Sequence, residues 1–217
     1  MGNKFQIFYL LVALTSTLIS IIVAVKAWLI RKELLGNYNL FFYFFISEAL
    51  FDVILGCFYF FGINNTLMMD VFSIIGFLLI TFCFLKYLKF KTSRYFFIVL
   101  TVLVTFISMY ALLDSTKANT LDLVQITLQS LVLIFISGIV LYNFSSSKEI
   151  NMFHSPVFWF AIGTFIYSLI DCVVTSGTNF LMIKDETKMI QVWVISLVAN
   201  ITKMLCYLKG LNKIQKL

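Results

Sequence analysis

The sequence predicts an all-α polytopic membrane protein: a bundle of seven transmembrane helices, with the N-terminus outside and the C-terminus cytoplasmic. Three observations carry this. Of 217 residues, 61% are hydrophobic and only 12% charged, and mean hydropathy is +1.00. Seven apolar runs reach the roughly 20 residues a helix needs to cross the hydrocarbon core. Lys and Arg are segregated to alternate connections, the bias that sets orientation. A soluble domain is nearer 45–50% apolar and about 25% charged. The composition therefore excludes a soluble enzyme, a disordered regulator and a secreted disulfide scaffold. The length fits one domain over 1–217.

The runs cover 5–30, 39–63, 67–88, 95–113, 121–143, 157–183 and 189–208. Each is too long for a strand, and none alternates as a barrel strand does. Span one is expected to stay in the membrane. Its apolar stretch exceeds that of a signal peptide, no small-residue cleavage site follows, and Gln6 stands where a myristoylation motif needs Ser or Thr. Span two follows the basic segment 31–37. Span three follows a tight turn at 64–66, and span four the basic segment 86–94. A short polar loop, 114–120, leads into span five. The longest connection, 144–156, reads FSSSKEINMFHSP and ends at the chain's one proline, Pro156, which suits the first turn of span six. Span seven follows 184–188 and leads into a short basic tail. Trp28 and Trp159 fall at the inner boundary and Trp193 at the outer one, as in an aromatic belt.

Of the 16 Lys and Arg residues, twelve fall on one side; Lys4, Lys117, Lys184 and Lys188 fall on the other. The richer side is expected to be cytoplasmic. Its Arg31, Lys32, Lys89, Lys91 and Arg94, with His154, are candidates for a partner-facing surface. The net charge of +6 suits anionic headgroups, so the lipid bilayer is the expected partner and nucleic acid is not. Phe, Ile, Lys and Asn usage points to an AT-rich genome, hence a bacterial inner membrane. A match between Phe42–Ser47 and Phe158–Gly163, with Phe51 on Tyr167 and Ile54 on Ile170, suggests that spans 1–3 repeat as spans 5–7 around a linking span four. Parallel three-helix repeats of this kind occur in transporters.

Ionisable groups at bilayer depth are costly and mark function. Glu48 and Asp52 stand at i and i+4, on one face of span two. Asp171 lies in span six at a depth close to that of Asp52. The three acids are expected to border one cavity open to the outside. No cation is expected at that depth, so the acids are either protonated or water-bridged ties between helices, or a site for a proton, cation or amine. Gln125 and Gln129 share a face of span five, and Asn200 lies with Gln191 and Ser196 on span seven; these are further candidates for lining the pocket. Asp70, Asp114 and Asp122 are expected to be solvated at an outer mouth.

Other chemistry finds little support. Lys203 falls one turn from the expected end of span seven, with Ala199 four residues before it. It is expected to snorkel to the headgroups rather than carry a retinal Schiff base. His154 is the only histidine and lies in a loop, which excludes a multi-histidine metal hydrolase. Cys57, Cys83, Cys172 and Cys206 sit in apolar runs without metal-ligand spacing. The nine glycines form no phosphate-cradling loop. No metal and no cofactor is implied.

The run Pro156-x-Phe158-Trp159-x-x-Ile162-Gly163-x-x-x-Tyr167, together with Glu48 in an aromatic span two, resembles a group of small bacterial seven-helix membrane proteins without an assigned activity. These are often encoded beside sensor histidine kinases. The resemblance implies a receptor or input module for a separate kinase or other signalling protein, and it supplies no catalytic residues. The leading expectation is a non-enzymatic membrane receptor or sensor, which could also form a homo-oligomer. The alternatives are a small-solute or cation transporter of three-plus-one-plus-three helices, and an intramembrane lipid-modifying enzyme using the paired carboxylates.

Overall fold

The computed structural model describes residues 2–61, 66–113, 118–146, 152–181 and 186–215. Among them it forms eight α-helices and a short 3-10 turn at Met152–His154, with no strand. The helices are α1 (Gly2–Leu29), α2 (Arg31–Asn37), α3 (Asn39–Phe60), α4 (Thr66–Leu85), α5 (Lys91–Leu113), α6 (Ala118–Ser145), α7 (Pro156–Leu181) and α8 (Glu186–Ile214). All but α2 are long and apolar enough to cross a membrane. Their outward faces carry Leu14, Leu18 and Ile22 on α1 and Val99, Val102 and Phe106 on α5, all more than half exposed. Such faces belong against lipid, so the chain reads as an integral membrane protein.

The basic segment 31–37, expected as a loop, is itself helical. Leu34 is fully buried within it, so one apolar contact anchors an otherwise charged turn. A larger difference concerns the last span. It was expected to stop at 208, where Lys209 and Lys213 raise the polarity. The helix instead continues to Ile214, because Leu211 and Ile214 keep its inner face buried. Lys209 meanwhile lies over the Trp159 ring, 3.7 Å from its centroid.

Neighbouring spans pack in chain order: α1 on α3, α3 on α4, α4 on α6, α6 on α7, α7 on α8, and α8 back on α1. The fourth span, α5, rests outside this ring against α4 and α6. The tightest seam is α7 on α8, where glycine permits close approach. A Cβ on Gly163 would stand 2.9 Å from the Cys206 Cβ and 3.0 Å from the Lys203 carbonyl oxygen. One on Gly210 would strike the Phe160 ring. Phe41 and Phe45 of α3 interlock with Phe84 of α4, Phe160 of α7 and Tyr207 of α8 at the centre of the basic half. This aromatic layer fixes the helix rotations that aim the polar residues of the next layer at one another.

Candidate intramembrane charge cluster

Four helices each present an inward stripe at the 4, 3, 4 spacing that keeps residues on one face. On α3 it is Phe41, Phe45, Glu48 and Asp52. On α7 it is Phe160, Thr164, Tyr167 and Asp171, and on α8 Ser196, Asn200, Lys203 and Tyr207. On α1 it is Ser16, Ser20, Val23 and Ala27. Each stripe is aromatic or apolar toward the basic end and polar beyond mid-span.

The stripes meet at an ion pair. Lys203 Nζ donates to Glu48 Oε2 at 3.0 Å, with the two side chains 7% and 21% exposed. The same ammonium lies 4.4 Å from the Tyr167 ring centroid, a distance at which the ring quadrupole attracts a cation. Gly76 of α4 backs the pair, for a Cβ there would stand 3.3 Å from Glu48 Oε1. This corrects two expectations. A cation does reach the depth of the acids, and Lys203 does not snorkel. The span holding it runs Val192–Ile214, which places Lys203 midway along it rather than near its end.

Asp52 stands one turn along α3 from Glu48. Its carboxyl lies near Ser20 of α1, whose hydroxyl donates to the Ser16 carbonyl at 3.2 Å, and Asp52 Oδ2 is buried without a hydrogen-bond partner. Asp171 ties three helices together. Its Oδ2 accepts from Ser130 of α6 at 2.9 Å, and its Oδ1 faces Ser196 of α8 at 3.5 Å. Tyr167, one turn before it on α7, lies beside the carboxyl. Asn200 Nδ2 donates to Ser16 Oγ at 2.9 Å, joining α8 to α1. Glu48, Asp52, Asp171 and Asn200 thus share one region around Lys203. It contains three carboxyl groups and a single ammonium.

Gln125 and Gln129 belong elsewhere. Gln129 donates to Ser108 of α5 at 3.0 Å and accepts from Ser73 of α4 at 2.6 Å. Gln125 is fully buried and donates to Asp70 at 3.1 Å. These bonds clasp α4, α5 and α6 together. Asp114 and the side chains of Asp122 and Gln191 lie outside the described residues. At the basic end, Arg31, Lys32, Lys89, Lys91, Arg94 and His154 are all exposed. Arg31 lies over Trp28, and Arg94 donates to the Leu88 carbonyl at 3.1 Å. Tyr38, Leu40, Phe41, Cys83, Lys86 and Tyr87 line a shallow surface dimple at this end. Among the described residues, no three His, Cys, Asp or Glu side chains converge to hold a metal.

Sequence reasoning missed Lys203 and Tyr167 as members of the site. The signal was present: Ser196, Asn200, Lys203 and Tyr207 form one polar stripe, and a snorkelling lysine has no need of such a stripe. No protein-family model matches the chain, and neither a curated protein nor a solved structure matches it.

Proposed function

We propose that the chain is a non-enzymatic membrane receptor or sensor whose switch is the Glu48–Lys203 pair. The observation carrying this is a buried salt bridge that holds α3 to α8 beside two further carboxyls, one of them with an unpartnered oxygen. A buried pair is poised: intact it costs little, whereas neutralising one partner strands the other. A proton or small cation entering among Asp52, Asp171 and Glu48 competes with Lys203 for the carboxylates. It favours whichever helix arrangement frees the lysine, and it shifts the equilibrium only by that differential affinity. Movement of α8 against α3 and α7 then alters the basic end, where Lys209 sits on Trp159. In this reading that end faces the cytoplasm of a bacterium, and its exposed Arg31, Lys32, Lys89, Lys91, Arg94 and His154 meet a separate kinase or other signalling partner.

Trp159 reports on the switch directly, because its ring touches Lys209 and its Nε1 donates to the Phe153 carbonyl at 3.0 Å. With Trp28 and Trp193 replaced by Phe, Trp159 fluorescence in nanodiscs should change saturably as pH or methylammonium is varied. Glu48→Gln should abolish the response. A flat signal, or one unchanged by Glu48→Gln, contradicts the proposal.

One observation favours a second reading, a transporter. The fourth span lies outside a six-helix ring, as a linker between two three-helix repeats would. That reading requires protein-dependent proton or sodium flux into liposomes reconstituted with the pure protein. The sensor reading requires none.

A further inference from the structure

The ammonium of Lys203 is held from two sides. Glu48 Oε2 accepts its hydrogen bond at 3.0 Å, and the Tyr167 ring centroid lies 4.4 Å from it, with the Tyr207 ring farther off at 6.0 Å. The nearer ring supplies most of the cation–ring attraction. Tyr167 also has a second neighbour. Its phenol lies beside the Asp171 carboxyl, one turn further along α7. Asp171 accepts from Ser130 of α6 at 2.9 Å and faces Ser196 of α8 at 3.5 Å. One side chain therefore stands between the cation of the ion pair and a carboxyl that the pair does not use.

The surroundings are packed. Ser130, Thr164, Ser168, Ser196 and Tyr207 are all buried. Thr164 and Tyr207 join α7 to α8 through a hydroxyl–hydroxyl bond of 2.7 Å, and a Cβ on Gly163 would stand 2.9 Å from the Cys206 Cβ. A ring in so dense an interior has no slack against either neighbour. The charged and titratable groups around Tyr167 are Asp171 on its own helix, Glu48 and Asp52 from α3, and Lys203 and Tyr207 from α8. From α6 the Ser130 hydroxyl reaches Asp171. A phenol donates to a carboxylate but accepts from a neutral carboxylic acid. Gain or loss of a proton at Asp171 therefore reverses the bond open to Tyr167 and changes the charge on one side of its ring, while Lys203 occupies the other.

We propose that Tyr167 is a positioning residue that couples the charge state of Asp171 to the Glu48–Lys203 pair, so that a change at Asp171 reaches the tie between α3 and α8 without any cation displacing Lys203. The coupling stands on these contacts; only its use as a signal rests on the sensor reading.

The test is a double-mutant cycle between Asp171→Asn and Lys203→Met, run on the full chain and again in Tyr167→Phe, which keeps the ring and removes the hydroxyl. Coupling energies are the direct evidence for such a link. Reversible unfolding in mixed micelles gives the unfolding constants. In the parent chain the double variant should depart at least about tenfold from the product of the single effects. In Tyr167→Phe that factor should fall below about threefold, while the effect of Lys203→Met alone should change less than about twofold, since the ring is retained. A factor below about threefold in the parent, or one unchanged in Tyr167→Phe, overturns the proposal. So does a Lys203→Met effect that changes more than about threefold, the mark of general loosening. Trp159 fluorescence separates the two readings. Asp171→Asn should move its pH midpoint by at least about one unit in the parent and leave it in place in Tyr167→Phe. Equal movement in both overturns the coupling. A flat Trp159 signal beside an intact tenfold cycle overturns the sensor reading alone.

Discussion

Replacing Lys203 by Met keeps the length of the side chain and removes its charge. Glu48 then remains near mid-span with no cation within reach. Two routes give the cost. Breaking a buried pair from one side costs about 3–5 kcal/mol. Inserting an uncompensated charge at the centre of a span costs about 2.5–3.5 kcal/mol. Glu48 is 21% exposed and so keeps some hydration, which favours the lower end, near 3 kcal/mol. The lost contact with the Tyr167 ring adds about 0.5–2 kcal/mol. Glu48→Gln should cost a similar amount, since it strands Lys203. The double variant should cost much less than the sum of the two, giving a coupling of at least about 2 kcal/mol. Reversible unfolding in mixed detergent micelles, followed by circular dichroism, measures all four corners of the cycle. If either single variant costs less than about 0.5 kcal/mol, or the costs simply add, the pair is not the structural hinge argued above.

Other expectations follow from the same contacts. Phe160→Ala should destabilise by about 3–5 kcal/mol as a core cavity does, read in the same detergent unfolding assay. Gly163→Val should push α7 from α8 and lower thermal stability more than Gly177→Val, because a Cβ at Gly177 meets nothing within 4 Å; a thermal shift assay on the two compares them. Gln129→Leu should cost no more than about 1–2 kcal/mol, the usual range for interhelical hydrogen bonds in membranes, and should leave the Trp159 response intact. Burial raises the Tyr38 phenol above its ordinary value of 10.0, and Tyr87 moves the same way. The folded state thus favours the neutral phenols. Their contribution is complete below pH about 10 and is lost as pH rises above that. An alkaline ultraviolet titration should show one fewer late-ionising tyrosine in Tyr38→Phe than in the parent chain, and one fewer in Tyr87→Phe.

The spans were legible because lipid imposes length and apolarity on each helix independently of its neighbours. The clustering of Glu48, Asp52 and Asp171 was legible from helical spacing and equal depth. Lys203 was not read as a member of the site because the last span was closed at 208, just before Lys209 and Lys213. Local polarity suggested an end there, whereas the buried Leu211 and Ile214 carry the helix a further turn and more. Partner choice was also hidden. Gln125 and Gln129 show an inward face, but only the packing of α4 and α5 decides that this face meets Asp70, Ser73 and Ser108 rather than the acids. The helical Arg31–Asn37 segment depends likewise on one tertiary contact, at Leu34.

The most direct measurement is the distance between spin labels at Tyr43→Cys on α3 and Asn212→Cys on α8, both exposed positions near the basic end. The background lacks native cysteines, and the protein sits in nanodiscs. A switch governed by the Glu48–Lys203 pair predicts two distance populations whose ratio shifts with pH and with added methylammonium. In Glu48→Gln one population should dominate under all conditions. A single distance, unchanged across pH, ligand and Glu48→Gln, would contradict it and leave the ion pair as a fixed strut.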